Sequence, residues 1–108
     1  MSVTVTHPGP EGHRSFFVSL TPTRADWPQD MTDAEQAALS QHAQGLSDYC
    51  DQGLCVVAGP ALDAGLGIAV WDGLTLAELV HHLEHEDEMV KQGFFDAGVR
   101  AMRVSFER

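Results

Sequence analysis

The sequence predicts an α+β domain with elements in the order β-α-β-β-α-β, and three observations carry that reading. Two capping boxes, Thr32-Asp-Ala-Glu35 and Thr75-Leu-Ala-Glu78, each open a stretch whose apolar residues recur every three or four positions. Short stretches dense in β-branched and aromatic residues lie between and around those helices. Glycine and proline mark the joints, at Gly53, Gly59-Pro60 and Gly93.

The elements follow in order. Residues 1–13 hold Pro8, Gly9, Pro10 and Gly12 and read as an irregular lead-in, with a short strand at 3–6 as an option; residues 14–108 form the domain. Residues 14–20 put Phe16, Val18 and Leu20 on one face, which makes them the first strand. The loop at 21–31 carries Pro22 and Pro28 with Trp27 between them. A tryptophan there needs something to pack on: it either covers the core edge or forms a wall or lid over a pocket.

The first helix spans 33–52 and stops at Gly53, a residue suited to the position just past a helix end. Residues 54–58 read as a strand buried on both faces, ended by Gly59-Pro60. A turn at 61–65 joins it to a strand at 67–71 as a hairpin. The second helix carries Leu76, Leu79, Val80 and Leu83 on one stripe. Residues 87–92 form a separate short turn of helix with Met89 and Val90 on its apolar side. The last strand is expected at 99–106, with Met102, Val104 and Phe106 on one face and Ala101, Arg103 and Ser105 on the other. This order is that of the ferredoxin-like split βαβ unit, a four-stranded antiparallel sheet with both helices on one face. The uncovered face is expected to pack against a second copy, giving a homodimeric α/β barrel.

The chain has 108 residues, 44% of them hydrophobic, enough for one core. Its net charge of −10 argues against nucleic acid and against an anionic membrane surface, both of which draw on surplus Lys and Arg. No apolar run is long enough to span a bilayer, and the start lacks the basic and apolar regions of a signal peptide. A cytoplasmic protein is expected. Cys50 and Cys55 have no zinc-ligand spacing and read as small buried hydrophobes in a reducing compartment. Arg14, Arg24, Arg100 and Arg103 are available to hold a small anion if they converge; otherwise they are solvated or paired with carboxylates.

His42 is the candidate for chemistry. It stands in the inward stripe Leu39, His42, Ala43, Leu46 and Cys50, where an imidazole must find a partner or line a pocket. Its best candidate partner is Asp87. A carboxylate that keeps one ring nitrogen protonated frees the other to take a proton, the arrangement of a general base. The competing reading is a buried histidine that only ties the two helices together. His81 and His85, at i and i+4 with Glu78 one turn earlier, could share a metal, but the helix stripe turns them to solvent and no metal is expected. No G-x-S-x-G elbow is present, Cys55 lacks a neighbouring base, and Gly65-Leu-Gly67 is too short to cradle phosphate, so no cofactor is expected.

These motifs together resemble the YciI-like (YCII-related) family. The resembling residues are Gln41-His42, the run Asp51-Gln-Gly-Leu-Cys-Val-Val-Ala-Gly-Pro60, the segment Asp87-Glu-Met-Val-Lys-Gln-Gly-Phe-Phe95 and Arg103-Val-Ser-Phe106, within residues 14–108. The resemblance implies a ferredoxin-like protomer in a dimeric α/β barrel, with a pocket that holds a His–Asp pair. His42 matches the family histidine, Asp87 the family aspartate, and Gly59 and Pro60 the pocket wall. One branch resembles a dehydrochlorinase of chlorinated aromatic rings, which implies cofactor-independent lyase-like or isomerase-like proton transfer on a small molecule. Arg103 or Arg100 would stabilise developing negative charge. The chain departs from the family pattern at Glu88, where proline usually follows the aspartate, and in a longer loop around Trp27 that narrows the pocket. The alternative function is a non-catalytic ligand-binding or structural dimerisation module.

Overall fold

The computed structural model describes residues 2–63 and 65–106; Ala64 of the expected 61–65 turn and the domain ends at Met1, Glu107 and Arg108 lie outside them. The elements are β1 Val3–His7, β2 Ser15–Pro22, α1 Asp33–Asp51, β3 Cys55–Pro60, β4 Gly67–Asp72, α2 Leu76–His81, a π-helical turn His82–Glu86, α3 Glu88–Lys91 and β5 Phe95–Ala101. They form an α+β domain around a five-stranded mixed sheet in the order β1-β5-β2-β4-β3. The pairs β5–β2, β2–β4 and β4–β3 are antiparallel, whereas β1 joins β5 in parallel.

Both capping boxes are formed. The Thr32 hydroxyl accepts from the Glu35 N–H while the Glu35 carboxylate accepts from the Thr32 N–H, and Thr75 and Glu78 repeat the exchange. Gly53, at φ 76°, ends α1 in the left-handed conformation that glycine adopts without a Cβ penalty.

One core joins sheet and helices. Phe16, Val18 and Leu20 of β2, Ala69 and Trp71 of β4, and Ala97 and Val99 of β5 face Ala38 of α1, Leu79 of α2, Leu83 of the π turn, and Met89 and Val90 of α3. The alternate residues, among them Phe17, Ser19, Ile68 and Val70, lie on the opposite sheet face and are half-buried or exposed. Among the described residues, no helix is long and apolar enough to cross a membrane.

Several expectations need correction. The lead-in is not irregular throughout: the strand held open at 3–6 is present as β1, residues 3–7, where Val3 packs into the core and the strand pairs with the edge of β5. The last strand starts four residues earlier than the expected 99–106 and ends at Ala101. Gly93, at φ 78°, turns the chain straight into the sheet, and the alternation that is buried is Phe95, Ala97, Val99. Gly98 interrupts that strand in sequence but not in space, since a Cβ there would sit 2.9 Å from the Ser19 hydroxyl. Past Met102, whose N–H reaches Ser15 O, pairing ceases and Phe106 is 97% exposed, so Met102, Val104 and Phe106 form no core face. The expected doubly buried strand is the sheet edge: Val56 and Val57 are exposed in β3. Cys55 is buried as expected, but Cys50 is exposed.

Candidate active site

The site forms where α1 crosses the end of the π turn. Asp87 N–H donates to His82 O at 2.9 Å, the five-residue step that widens the helix, and the chain then leaves the helix at Asp87 (φ −86°, ψ 110°) before α3 begins. The Asp87 carboxylate caps that new helix: Oδ1 accepts from Met89 N–H at 3.0 Å and Val90 N–H at 3.4 Å. Oδ2 is left for α1, and His42 Nδ1 lies 2.6 Å from it. The carboxylate side chain is 3% exposed and the imidazole 10%, so both are shielded from water. A carboxylate only accepts, so Nδ1 carries the hydrogen and Nε2 is the ring nitrogen with a free lone pair. The ring also meets Phe95 edge to face, with centroids 6.0 Å apart.

His42 stands in the wall of a cavity of about 610 Å³. Leu39, Ala43, Leu46 and Cys50 of α1 line one side; Ala58, Gly59 and Pro60 of β3 and Leu66 and Gly67 before β4 line another; Leu20 and Phe95 close the floor. Trp27, Pro28 and Met31 of the long loop complete it, and Trp27 leans edge to face on Phe95 at 5.3 Å. The stripe that reads in sequence as core is therefore a cavity wall: only Glu35 and Ala38 of α1 are fully buried.

His42, Asp87, Gly59, Pro60 and Trp27 are thus brought together, but Arg103 is not. It lies beyond the end of β5, exposed, and does not line the cavity, because the strand that was to carry it ends at Ala101. Arg100 is exposed on β5 and points with Asp96 to the sheet face opposite the buried Phe95, Ala97 and Val99. Arg14 donates to Gly73 O. Arg24 comes nearest, 5.4 Å over the Trp27 ring, but its guanidinium is held by Glu35 at 2.9 and 3.2 Å and by Asp26 at 2.8 Å. The Arg24 hydrogen bonds are the main reason the Glu35 and Asp26 carboxyls sit below the usual carboxylate range, with the Thr32 N–H adding to the effect at Glu35. Among the described residues, no Arg or Lys lines the cavity.

A second histidine–carboxylate pair, which sequence reading did not assign, forms at His82 and Glu86. His82 is buried, with Nδ1 3.0 Å from Glu86 Oε1 and its ring packed on Tyr49 (4.7 Å) and Trp71 (5.3 Å). His82 and Leu83 follow Leu79 by three and four residues and share its buried face, and that spacing is the sequence signal for the buried His82. His82 is the first cause holding the Glu86 carboxyl low, while burial and then Glu86 push the Tyr49 hydroxyl up. The His81 and His85 rings lie 4.9 Å apart, and among the described residues no cluster of three or more side chains is placed to hold a metal. Burial, with the Cys50 thiol beside it, pushes the Cys55 thiol up to about 12, which keeps it protonated and unreactive at neutral pH. Gln41, Tyr49, Glu35 and Glu86 all hold partners that sequence reading did not assign. In comparison with known proteins, no family model and no curated protein matches this chain.

Proposed function

We propose that this chain is a small, cofactor-independent enzyme of the YciI-like kind, in which His42 Nε2 acts as general base or acid and Asp87 orients the ring. The observation that carries the reading is the 2.6 Å Asp87–His42 hydrogen bond at the wall of a largely apolar cavity. The base would take a proton from a substrate carbon. The electron pair left behind would expel a leaving group on the next carbon, such as chloride, or be reprotonated at another carbon by the same imidazole. A cavity without Arg or Lys narrows the substrate to a neutral ring compound, since a carboxylate would enter unpaired. Gly59 and Pro60 would shape one wall and Trp27 the opposite one.

The antiparallel order β5-β2-β4-β3 supports the ferredoxin-like reading, with β1 as an addition at the β5 edge. We also propose that the opposite sheet face pairs with a second copy. Phe17, Val70, Ile68 and Val57 form its apolar centre, and Asp96 and Arg100 offer each protomer a charge of either sign. Sedimentation at micromolar concentration is expected to give a dimer, and a stable monomer would overturn this. The two free cysteines fit a reducing, cytosolic location.

The alternative, a binding or structural module, is favoured by one observation: Asp87 also caps α3, so the pair has a structural task. Incubation in D₂O with neutral cyclic ketones and chlorinated rings separates the readings. Base chemistry predicts protein-dependent loss of the acidic C–H signal by NMR. Saturable binding with no exchange or elimination across the panel would leave a binding module.

A further inference from the structure

Gln41 precedes His42 on α1, is exposed, and reaches across to the segment that holds Asp87. Its Nε2–H donates to Glu86 O at 3.0 Å, and its Oε1 accepts from Glu88 N–H at 3.1 Å. Those two groups belong to the peptide units on either side of Asp87. One planar amide therefore spans the backbone before and after the residue whose carboxylate meets His42. A carbonyl can only accept and an N–H can only donate, so the match needs a side chain with one donor and one acceptor at this spacing. Glutamate would present an acceptor to the Glu86 carbonyl, and an apolar residue would bind neither group.

We infer that Gln41 is a positioning residue: it fixes the backbone around Asp87 so that the carboxylate stays in line with His42 Nδ1. The inference rests on the proposed role of the His42–Asp87 pair, but it concerns geometry and can be tested without a substrate. Adjacent residues of one helix then hold Asp87 at two points, His42 by its side chain and Gln41 by its backbone. Within the segment itself, Asp87 N–H reaches His82 O and Asp87 O accepts from Lys91 N–H at 2.8 Å, and neither bond ties it to α1. Tyr49 of α1 donates to Glu86 Oε1 at 3.2 Å, which holds the Glu86 side chain and not the peptide units flanking Asp87. Glu88 opens α3, a position where proline is well tolerated, and Asp87 already has the extended backbone that a following proline demands. Proline at 88 would give up the Gln41 bond but restrain the same turn through its own ring.

The test is ¹⁵N–¹H NMR of the His42 ring, with amide exchange at Met89 and Val90, in the full chain. In Gln41→Leu, the tautomer with hydrogen on Nδ1 is expected to lose its single sharp signal. Exchange at the two capped amides is expected to rise about tenfold, the consequence of losing two partly exposed hydrogen bonds. Gln41→Glu should behave alike, and Glu88→Pro placed in the Gln41→Leu chain should restore the ring signal. A folded Gln41→Leu chain with unchanged ring signals and amide exchange would overturn the inference. So would a loss that Glu88→Pro leaves unrepaired. A chain that loosens as expected yet processes no ring compound would keep the positioning role and remove the proposed chemistry instead.

Discussion

Asp87→Ala is expected to destabilise the protein by about 2–4 kcal/mol, since it combines a lost helix cap, typically about 1 kcal/mol, with a stranded buried partner at about 1–3 kcal/mol. The carboxylate serves Met89 and Val90 through Oδ1 and His42 through Oδ2, and at 3% exposure water cannot replace it. Asp87→Asn separates these duties. Its amide oxygen keeps both capping bonds, so the cost falls to about 1 kcal/mol. Its NH₂ group, however, turns a donor toward His42 Nδ1. The ring must then accept there and carry its hydrogen on Nε2, the wrong tautomer for a base at the cavity. Urea unfolding of the three proteins checks this through the midpoint at constant slope. An Asp87→Ala midpoint no lower than that of Asp87→Asn would mean that the cap carries little energy.

The helices and the pair were readable because their signals are local or chemically demanding. Thr32 and Glu35, or Thr75 and Glu78, satisfy one another within a single turn, so the two helix starts follow from four residues each. His42 drew attention because an imidazole on an apolar stripe needs a partner, and Asp87 lies 45 residues away as that partner. What stayed hidden depends on long-range pairing. The strand offered at 3–6 is present as Val3–His7, but its parallel pairing with β5 is encoded by nothing in the residues around it. Gly98 looks like a strand breaker until Ser19 is seen opposite it. The π turn is invisible to a 3.6-residue count, whereas the burial of His82 beside Leu83 was legible, since the two follow Leu79 by three and four residues on one helix face. Arg103 was misplaced for the same reason as the last strand: its register is set by Phe16 and Phe17 across the ladder rather than by the sequence after Val99.

His42→Ala is expected to lower proton exchange or elimination on a responsive ring compound by about 10²- to 10⁴-fold, the usual contribution of a positioned acid or base. The fold should survive, because the ring stands at a cavity wall rather than in the packed core and Asp87 keeps its two backbone donors. The variant also leaves an imidazole-sized space beside Asp87, open to the cavity. Added imidazole is therefore expected to restore part of the rate in His42→Ala, and none in Asp87→Asn, where the ring is present but holds its hydrogen on the wrong nitrogen. Rates within threefold of wild type in His42→Ala would make the pair a tether between α1 and α3. In that case the small stability cost of Asp87→Asn and the larger loss in Asp87→Ala would account for everything the carboxylate does.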